Sequence, residues 1–229
     1  MSGVARRLEE LRARLGEACR AARRPEGSVE LLAVSKLQPL EALREAYAAG
    51  VRAFGENYAQ ELRDKAAALA AECPDIRWHA IGPLQTNKAR YVAKLAHAFH
   101  ALDRAEVAEE LSRRRTGEPL RVYLEVNLGG EETKSGLLPD AVGALLERVR
   151  ALPGLAAVGL MCLPPLGPDA EASRPYFREL RQLASAHGLS GLSMGTTHDF
   201  AVAVEEGATV VRVGTALFGP RPAGEPRAP

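Results

Sequence analysis

Residues Val29-Glu30-Leu31-Leu32-Ala33-Val34-Ser35-Lys36 decide the fold of this chain. They form an apolar, partly β-branched run of strand length that ends on an amine, and the chain breaks at Pro39 shortly afterwards. A continuous apolar run of this kind is typical of a strand that is buried on both faces in a parallel sheet. We therefore predict a buried strand whose C-terminal end carries the Lys36 side chain.

Strand and helix signals alternate along the rest of the chain. An opening helix is predicted over Val4–Arg23, with an apolar stripe that can pack on the sheet or on a partner. Eight strand–helix units follow, and the strongest strand signal is Leu120–Leu128. This alternation predicts an α/β fold, a single (β/α)8 TIM-type barrel over residues 1–219. An open doubly wound sheet is the alternative, because one sequence does not reveal strand order.

Length, charge and cysteine usage narrow the class of protein. The 229 residues suit one barrel, and the Pro- and Gly-rich residues 220–229 are expected to form a flexible tail with no room for a second domain. The formal net charge of +1 gives no excess of positive charge of the kind that nucleic-acid binding requires. The three cysteines lack metal-ligand spacing, so reduced thiols and no metal site are expected. Without an apolar signal core or a membrane-length apolar run, we expect a cytoplasmic protein.

Two other predicted strand ends carry residues that suit a phosphate group. Ser193-Met194-Gly195-Thr196-Thr197 ends the seventh strand, and Val211-Arg212-Val213-Gly214-Thr215 ends the eighth. In a barrel, the loops after these two strands commonly bind phosphate. Gly195 permits close approach of the backbone, and the threonines can cap a helix whose N–H groups attract an anion. Ordinary turns and caps explain each segment alone, but their position at these two strands favours phosphate binding.

Lys36 and Arg212 add an amine and a guanidinium to the same end of the barrel. A lysine at a strand end is usually solvated surface, but a partly desolvated lysine near a cation has a lowered pKa and attacks aldehydes. Arg212 lies in an otherwise apolar strand. Buried arginine is rare unless it is paired, so we predict a carboxylate partner or a ligand. An amine, a guanidinium and two phosphate pockets are the groups needed to hold pyridoxal 5′-phosphate (PLP).

The chain also resembles a known family over nearly its whole length. The matching stretches, in the order of the family, are Ala33–Lys36, Phe54–Tyr58, Trp78–Lys88, Glu131–Gly136, Gly159–Met161, Leu192–Gly195 and Val211–Gly219. Together they resemble the pyridoxal phosphate homeostasis proteins, the YggS/PROSC family of PLP-binding proteins. The resemblance implies an alanine racemase-like, fold-type III PLP barrel without the C-terminal β domain.

The resemblance also assigns residues to the cofactor. It implies a Schiff base between PLP and Lys36, with Arg212 facing the pyridine nitrogen and Asn57 near the ring. It further implies that the phosphate is held by Thr197, Gly214 and Thr215. Where the family usually has Met-Gly-Met-Ser, this chain has Met-Gly-Thr-Thr at residues 194–197. The hydroxyl needed for phosphate is kept, whereas the contact of the second methionine is not.

The function implied by the resemblance is a PLP carrier or buffer rather than an enzyme. Related amino-acid racemases add a second domain and take a catalytic tyrosine from a partner subunit. Two-base racemisation needs an acid/base group on each face of the substrate, and the sequence shows no obvious second base beside Lys36. We therefore expect a monomer that manages intracellular PLP and passes it to apo PLP-dependent enzymes, and that binds neither nucleic acid nor membranes.

Two alternatives stay open. The first is a barrel-only PLP-dependent amino-acid racemase or a related enzyme. The second is a phosphate-sugar barrel enzyme without PLP, which accounts for the phosphate pocket but not for Lys36.

Three further segments suggest roles close to the site. The polar loop Glu131–Gly136 carries Lys134, and a solvated turn explains it, but transient capture or export of PLP by this amine is the alternative hypothesis. His79 is predicted to be a hydrogen-bonded core residue. Glu56, beside Asn57 at the end of the second strand, is expected close to the ligand or one layer behind it.

Overall fold

The computed structural model describes residues 3–131 and 133–220, and in them eight parallel strands close into a barrel. The strands are β1 (Glu30–Val34), β2 (Ala53–Glu56), β3 (Arg77–Ala80), β4 (Ala96–Leu102), β5 (Leu120–Glu125), β6 (Leu155–Met161), β7 (Gly191–Ser193) and β8 (Val210–Val213). The helices are α1 (Gly3–Ala21), α2 (Leu40–Ala48), α3 (Ala59–Leu69), α4 (Ala89–Leu95), α5 (Ala105–Arg114), α6 (Val142–Ala151), α7 (Arg174–Ala186), α8 (Phe200–Glu205) and α9 (Thr215–Phe218). The predicted (β/α)8 barrel is confirmed.

Pairing of the first and last strands closes the barrel and rules out the open doubly wound sheet. β8 pairs in parallel with β1, with Leu32 opposite Arg212 and Ala33 opposite Val213. Because all strands are parallel, their carboxyl ends lie on one face, where barrel enzymes carry their sites. The residues that follow β1 and β8 therefore become neighbours although they are far apart in the sequence.

Burial on both faces explains the continuous apolar runs of the strands. Leu32 and Ala33 of β1 are fully buried, and so are Val211 and Val213 of β8. One set of side chains fills the barrel and the other contacts the surrounding helices, so neither set needs polar residues. The strands consequently lack an alternation of apolar and polar residues. In the sequence they can be recognised only by their length and by the turns on either side of them.

The opening helix packs on the barrel. Leu8 and Leu11 of α1 are buried, and the helix contacts α8 and α9. Arg7 Nε donates to the carbonyl of Leu217 at 2.7 Å, and Arg24 Nη1 donates to the carbonyl of Val204 at 2.9 Å. These contacts satisfy C-terminal carbonyl groups of the last two helices. The apolar stripe of α1 is thus used within this chain.

The fifth strand is shorter than its sequence signal. β5 ends at Glu125 instead of Leu128. Beyond it, Val126 forms an isolated bridge with Leu137, and Asn127 N–H donates to the carbonyl of Leu137 at 2.8 Å. The apolar residues after Glu125 therefore anchor a loop that returns to the strand end, rather than extending the barrel.

The described residues cover nearly all of the predicted barrel segment. They begin at Gly3, and the predicted tail at 220–229 lies outside them apart from Pro220. Within residues 3–131 and 133–220, no helix has the length and apolar character needed to cross a membrane.

Candidate functional site

The seam between β1 and β8 brings together two of the predicted ligand-binding segments. Lys36 follows β1 after Ser35 and is half-buried. Gly214 follows β8, and a Cβ on this residue would lie 3.3 Å from the carbonyl oxygen of Val34. A side chain here would crowd the backbone that leads to Lys36. The seam therefore brings the backbone just before Lys36 next to the Gly214–Thr215 turn.

The loops after β7 and β8 also meet. Thr197 Oγ1 accepts a long hydrogen bond of 3.5 Å from the N–H of Ala216. Within residues 3–131 and 133–220, the N–H groups of Thr197 and Thr215 have no hydrogen-bond acceptor. Two unsatisfied amides and a hydroxyl form a donor set that suits a phosphate. The helices that follow have only six and four residues, so these donors matter more than a helix dipole.

Asp199 holds the loop after β7 in place. Its Oδ1 accepts from the N–H of Thr196 at 2.7 Å and from the Thr196 hydroxyl at 3.0 Å. Its Oδ2 accepts from the Ser173 hydroxyl at 2.8 Å. Asp199 therefore binds Thr196 rather than Thr197 at the start of α8. The hydroxyl that the family resemblance assigns to the phosphate is that of Thr197, which Asp199 does not bind.

Gly195 is required for packing against α8. Its φ of +90° lies in the left-handed region, and a Cβ would come within 2.5 Å of the Ala203 Cβ and 3.0 Å of the Phe200 Cα. Packing and backbone conformation thus explain why residue 195 is a glycine, without the ligand that the sequence analysis invoked. Its carbonyl accepts from the N–H of Arg212 at 2.9 Å, which joins the ends of β7 and β8. Direct cofactor binding by Gly195 stays a prediction.

Arg212 is buried and is held by neutral groups. Nη1 donates to the carbonyl of Ser193 at 2.6 Å and to its hydroxyl at 2.7 Å, while Nη2 donates to the carbonyl of Cys162 at 2.8 Å. Among the described residues, it has no carboxylate partner within 4.0 Å. Burial lowers the pKa of Arg212 below its usual value. The predicted carboxylate partner is therefore not found in the described residues, where neutral oxygens bind the guanidinium instead, and contact of Arg212 with a ligand stays a prediction.

A chain of hydrogen bonds runs from Arg212 into the barrel. Ser193 Oγ accepts from Arg212 Nη1 and forms a second hydrogen bond with His100 Nδ1 at 2.8 Å. His100 Nε2 and His79 Nδ1 form the next hydrogen bond, at 2.9 Å, and its direction depends on the tautomers of the two rings. Burial lowers the pKa of His79 to about 3 and that of His100 well below its usual value. Both rings are consequently neutral.

These hydrogen bonds confirm His79 as a hydrogen-bonded core residue. They add His100, which sequence reasoning missed, and they give Ser193 a contact with Arg212 that its place in the predicted phosphate segment did not indicate. His79 Nε2 is buried and has no acceptor in the described part of the chain. His100 stacks on Tyr123 with ring centroids 4.4 Å apart, which restricts the orientation of its ring. Ser193 and His100 therefore fix the orientation of the Arg212 guanidinium.

Glu125 is a second candidate acid/base group that the sequence did not reveal. It ends β5, its residue is 7% exposed, and its Oε2 has no partner among the described residues. Burial, followed by the negative charge of Asp103, raises the pKa of Glu125 to about 7 against the lowering effect of Arg212. A carboxyl group with such a pKa exchanges a proton near neutral pH.

Glu125→Gln is expected to stabilise the protein more at pH 8 than at pH 5. Because folding raises the pKa of Glu125 from 4.5 to about 7, its ionised form destabilises the fold above pH 7, and protonation relieves this as the pH falls. The gain in unfolding free energy should be about 1–3 kcal/mol at pH 8 and below about 1 kcal/mol at pH 5. Urea unfolding of wild type, Glu125→Gln and the exposed control Glu147→Gln measures it, and an equal gain at both pH values would contradict it.

Asn57 lies on the opposite side of the seam from β8. It follows β2, is half-buried, and lines a cavity of about 370 Å³ together with Lys88 and Arg104. A Cβ on Gly82 would come within 2.5 Å of the Asn57 carbonyl oxygen, so the next loop packs directly on it. Contact of Asn57 with the ring of the cofactor stays a prediction.

Lys134 lies on a turn that folds around Asn127. The Asn127 side-chain amide donates to the carbonyl of Glu131 at 2.9 Å, and Lys134 Nζ lies 2.5 Å from Glu131 Oε2. Both charged side chains are 38% exposed, so the ion pair contributes little stability. These contacts favour the solvated turn, and transient capture or export of PLP by Lys134 stays a hypothesis.

Known proteins resemble this chain in sequence and in structure. Residues 7–222 match the family described as alanine racemase, N-terminal domain. The pyridoxal phosphate homeostasis protein of Pseudomonas aeruginosa is 46% identical over 230 residues, which cover 99% of each chain. The protein of that name from Aquifex aeolicus is 44% identical and covers 94% of this chain and 97% of its own. The structure of PipY from Synechococcus elongatus with PLP bound is 39% identical, has a TM-score of 0.83, and covers 94% of this chain and 100% of its own. These findings confirm the resemblance: the chain belongs to the pyridoxal phosphate homeostasis protein family.

Proposed function

We propose that this protein binds PLP at the carboxyl ends of its strands, as a Schiff base with Lys36, and acts as a carrier or buffer of PLP inside the cell. The observation that carries the proposal is the β1–β8 seam, where Lys36, Arg212 and the two phosphate-type loops converge. The PLP-bound PipY structure and the name shared by the relatives support it.

The residues at the seam fit the cofactor group by group. The Thr197 hydroxyl and the N–H groups of Thr197 and Thr215 suit the phosphate, because they lack stronger acceptors among the described residues. When bound, PLP supplies an aldehyde that reacts with a primary amine. Lys36 is the amine that follows β1 beside the Gly214 turn. Two attachments, one at the phosphate and one at the aldehyde carbon, would hold the cofactor in this site.

The fixed Arg212 guanidinium would limit the capacity of a bound PLP ring to accept electrons. Three hydrogen bonds and the chain through Ser193 and His100 fix its guanidinium. A guanidinium that faces the pyridine nitrogen donates to it and keeps it unprotonated, because a protonated nitrogen would face a fixed positive charge. An unprotonated ring is a weaker electron sink. Because PLP enzymes also use an arginine at this nitrogen, the contact is compatible with the carrier and with the alternative racemase.

One observation favours a second candidate function. Glu125 combines an unpartnered buried oxygen with a pKa of about 7. With Lys36, it would give the barrel two groups able to exchange protons, which a racemase or a related amino-acid PLP enzyme requires. We keep this enzyme as the alternative to the carrier.

The PLP-loaded protein is expected to leave L- and D-alanine unchanged and to activate an apo-aminotransferase. Enantiomer analysis by chiral chromatography and recovery of aminotransferase activity measure the two outcomes. Free PLP at the same total concentration is the control for transfer, and Glu125→Gln is the control for proton exchange. Racemisation or transamination that requires both Lys36 and Glu125 would replace the carrier by the enzyme.

A further inference from the structure

A buried cluster of charged side chains lies behind the strand end that carries Lys36. We call Glu56, Glu61 and Lys65 the Lys65 cluster. Lys65 Nζ lies 2.9 Å from Glu56 Oε1 and 2.7 Å from Glu61 Oε1. Lys65 is 7% exposed and Glu56 is fully buried. Glu56 ends β2, whereas Glu61 and Lys65 belong to α3, so the cluster joins a barrel strand to the helix outside it.

The Lys65 cluster binds the backbone on both sides of Lys36. On the N-terminal side, Lys65 Nζ donates to the carbonyl of Ser35 at 2.6 Å. On the C-terminal side, the N–H of Leu37 donates to Glu61 Oε1 at 2.6 Å. Each of the two peptide groups that include Lys36 backbone atoms thus makes a hydrogen bond with a charged side chain. Such bonds are roughly twice as strong as bonds between neutral groups.

The Ser35 side chain provides a third attachment. Its hydroxyl donates to Glu56 Oε1 at 2.6 Å, and its backbone N–H donates to the carbonyl of Gly55 at 3.0 Å. Ser35 is fully buried, so these bonds have no competition from water. The residue before Lys36 is consequently fixed through its backbone and its side chain.

Leu37 shows that the turn after Lys36 is held against a conformational preference. Its φ is +60°, in the left-handed region that a residue with a branched side chain seldom adopts. The N–H of Gln38 donates to the carbonyl of Ser35 at 3.0 Å and closes the turn. Such a conformation persists only where the surroundings impose it. The carboxylate of Glu61 at the Leu37 N–H is the contact that imposes it here.

Stability of the fold does not explain the Lys65 cluster. It places two carboxyl groups against one ammonium group, and Glu56 Oε2 has no partner in the described part of the chain. Burial raises the pKa of Glu56 to about 7 although Lys65 lowers it. Buried ion pairs of this kind are often replaced by apolar residues without loss of stability. The contacts with Ser35 and Leu37 therefore point to a role at Lys36.

We propose that Glu56, Glu61 and Lys65 are positioning residues for Lys36. By fixing the peptide groups on both sides of it, they direct the amine towards the phosphate-type loops at the seam. The inference rests on the proposed function, and it concerns the attachment of PLP to Lys36 rather than the binding of its phosphate.

The decisive experiment separates attachment from phosphate binding. PLP is mixed with the full chain, borohydride is added at timed intervals, and the pyridoxyl mass on Lys36 is quantified. Affinity for pyridoxine 5′-phosphate, which lacks the aldehyde, is measured in parallel. Lys65→Met is expected to slow attachment at least tenfold and to change pyridoxine 5′-phosphate affinity less than about twofold, because small misplacements of a reacting group have large effects on rate. Lys94→Met, an exposed lysine of α4, is the matched control.

Variants of Glu61 decide the question if Lys65→Met does not fold. Glu61→Gln keeps an oxygen for the Leu37 N–H and should attach PLP within about threefold of the wild-type rate, whereas Glu61→Leu removes it and should slow attachment at least tenfold. Wild-type rates in Lys65→Met and Glu61→Leu would overturn the proposal. An equal loss of attachment and of pyridoxine 5′-phosphate affinity would also overturn it, since the cluster would then be merely structural. Failure of the wild-type chain to label Lys36 would instead reject the proposed function.

Discussion

Lys36→Ala is expected to abolish covalent trapping of PLP and to retain pyridoxine 5′-phosphate with an affinity within about tenfold of wild type. The separation follows from the seam, because Lys36 belongs to the end of β1 whereas the phosphate-type donors belong to the loops after β7 and β8. Removing the amine leaves those donors in place. Borohydride reduction of the protein with PLP, followed by mass mapping of the modified peptide, measures the trapped fraction.

The other lysines provide the control for this experiment. The chain has five lysines, and Lys94→Ala removes an exposed one that lies on α4, away from the seam. The wild type and this control should both carry the pyridoxyl mass on Lys36. A label spread over all five lysines, or an unchanged label in Lys36→Ala, would falsify the Schiff-base assignment. A phosphate-sugar enzyme without PLP would then be the better account of the two loops.

The fold could be predicted from the sequence because its strands are short apolar runs separated by helices with clear apolar stripes. Val29–Lys36 is the best example, since its burial and its break at Pro39 follow from residue types alone. The closure of the barrel could not be predicted in the same way. An open doubly wound sheet has the same alternation of strands and helices. The pairing of β1 with β8, which places Leu32 opposite Arg212, distinguishes the closed barrel from the open sheet.

The groups behind the site were not predictable, because they depend on contacts between distant segments. His79 and His100 are 21 residues apart, and His100 and Ser193 are 93 apart. They meet because neighbouring and facing strands of the barrel direct these side chains to its interior. No spacing in one sequence encodes such a meeting. The sequence does show each of these residues as a polar residue inside an apolar strand. It does not show which residue would be its hydrogen-bond partner.

The Lys65 cluster illustrates the same limit at the site itself. Glu61 and Lys65 are four residues apart on α3, a spacing that predicts an ordinary ion pair on a helix surface. The structure turns this pair inward against Ser35 and Glu56. Which face of α3 meets the strand ends depends on how the helix packs, and that is a tertiary property.

Arg212→Met is expected to lower the retention of PLP at least tenfold without lowering the unfolding free energy of the PLP-free protein. Burial disfavours the charged guanidinium and lowers the pKa of Arg212, an effect that Glu125 and Asp199 oppose only in part. No carboxylate within residues 3–131 and 133–220 lies within 4.0 Å of it. Replacing this charge with an apolar side chain removes its desolvation cost, which offsets the loss of its three hydrogen bonds. The carbonyl of Ser193 also keeps a second donor, the N–H of Cys162 at 3.3 Å.

The loss of PLP has a separate cause, since the pyridine nitrogen would lose the donor that faces it, an effect of about 1.4 kcal/mol or more for a tenfold change. Dialysis followed by absorbance of the retained cofactor, and urea unfolding of the PLP-free protein, measure the two quantities independently. Arg121→Met is the matched control, because Arg121 lies on β5 with an exposed side chain. A large drop in unfolding free energy together with unchanged retention would mean that Arg212 stabilises the barrel and has no part in binding PLP. An unchanged or higher unfolding free energy together with a loss of PLP retention would mean that this buried charge serves the ligand at a cost to the stability of the fold.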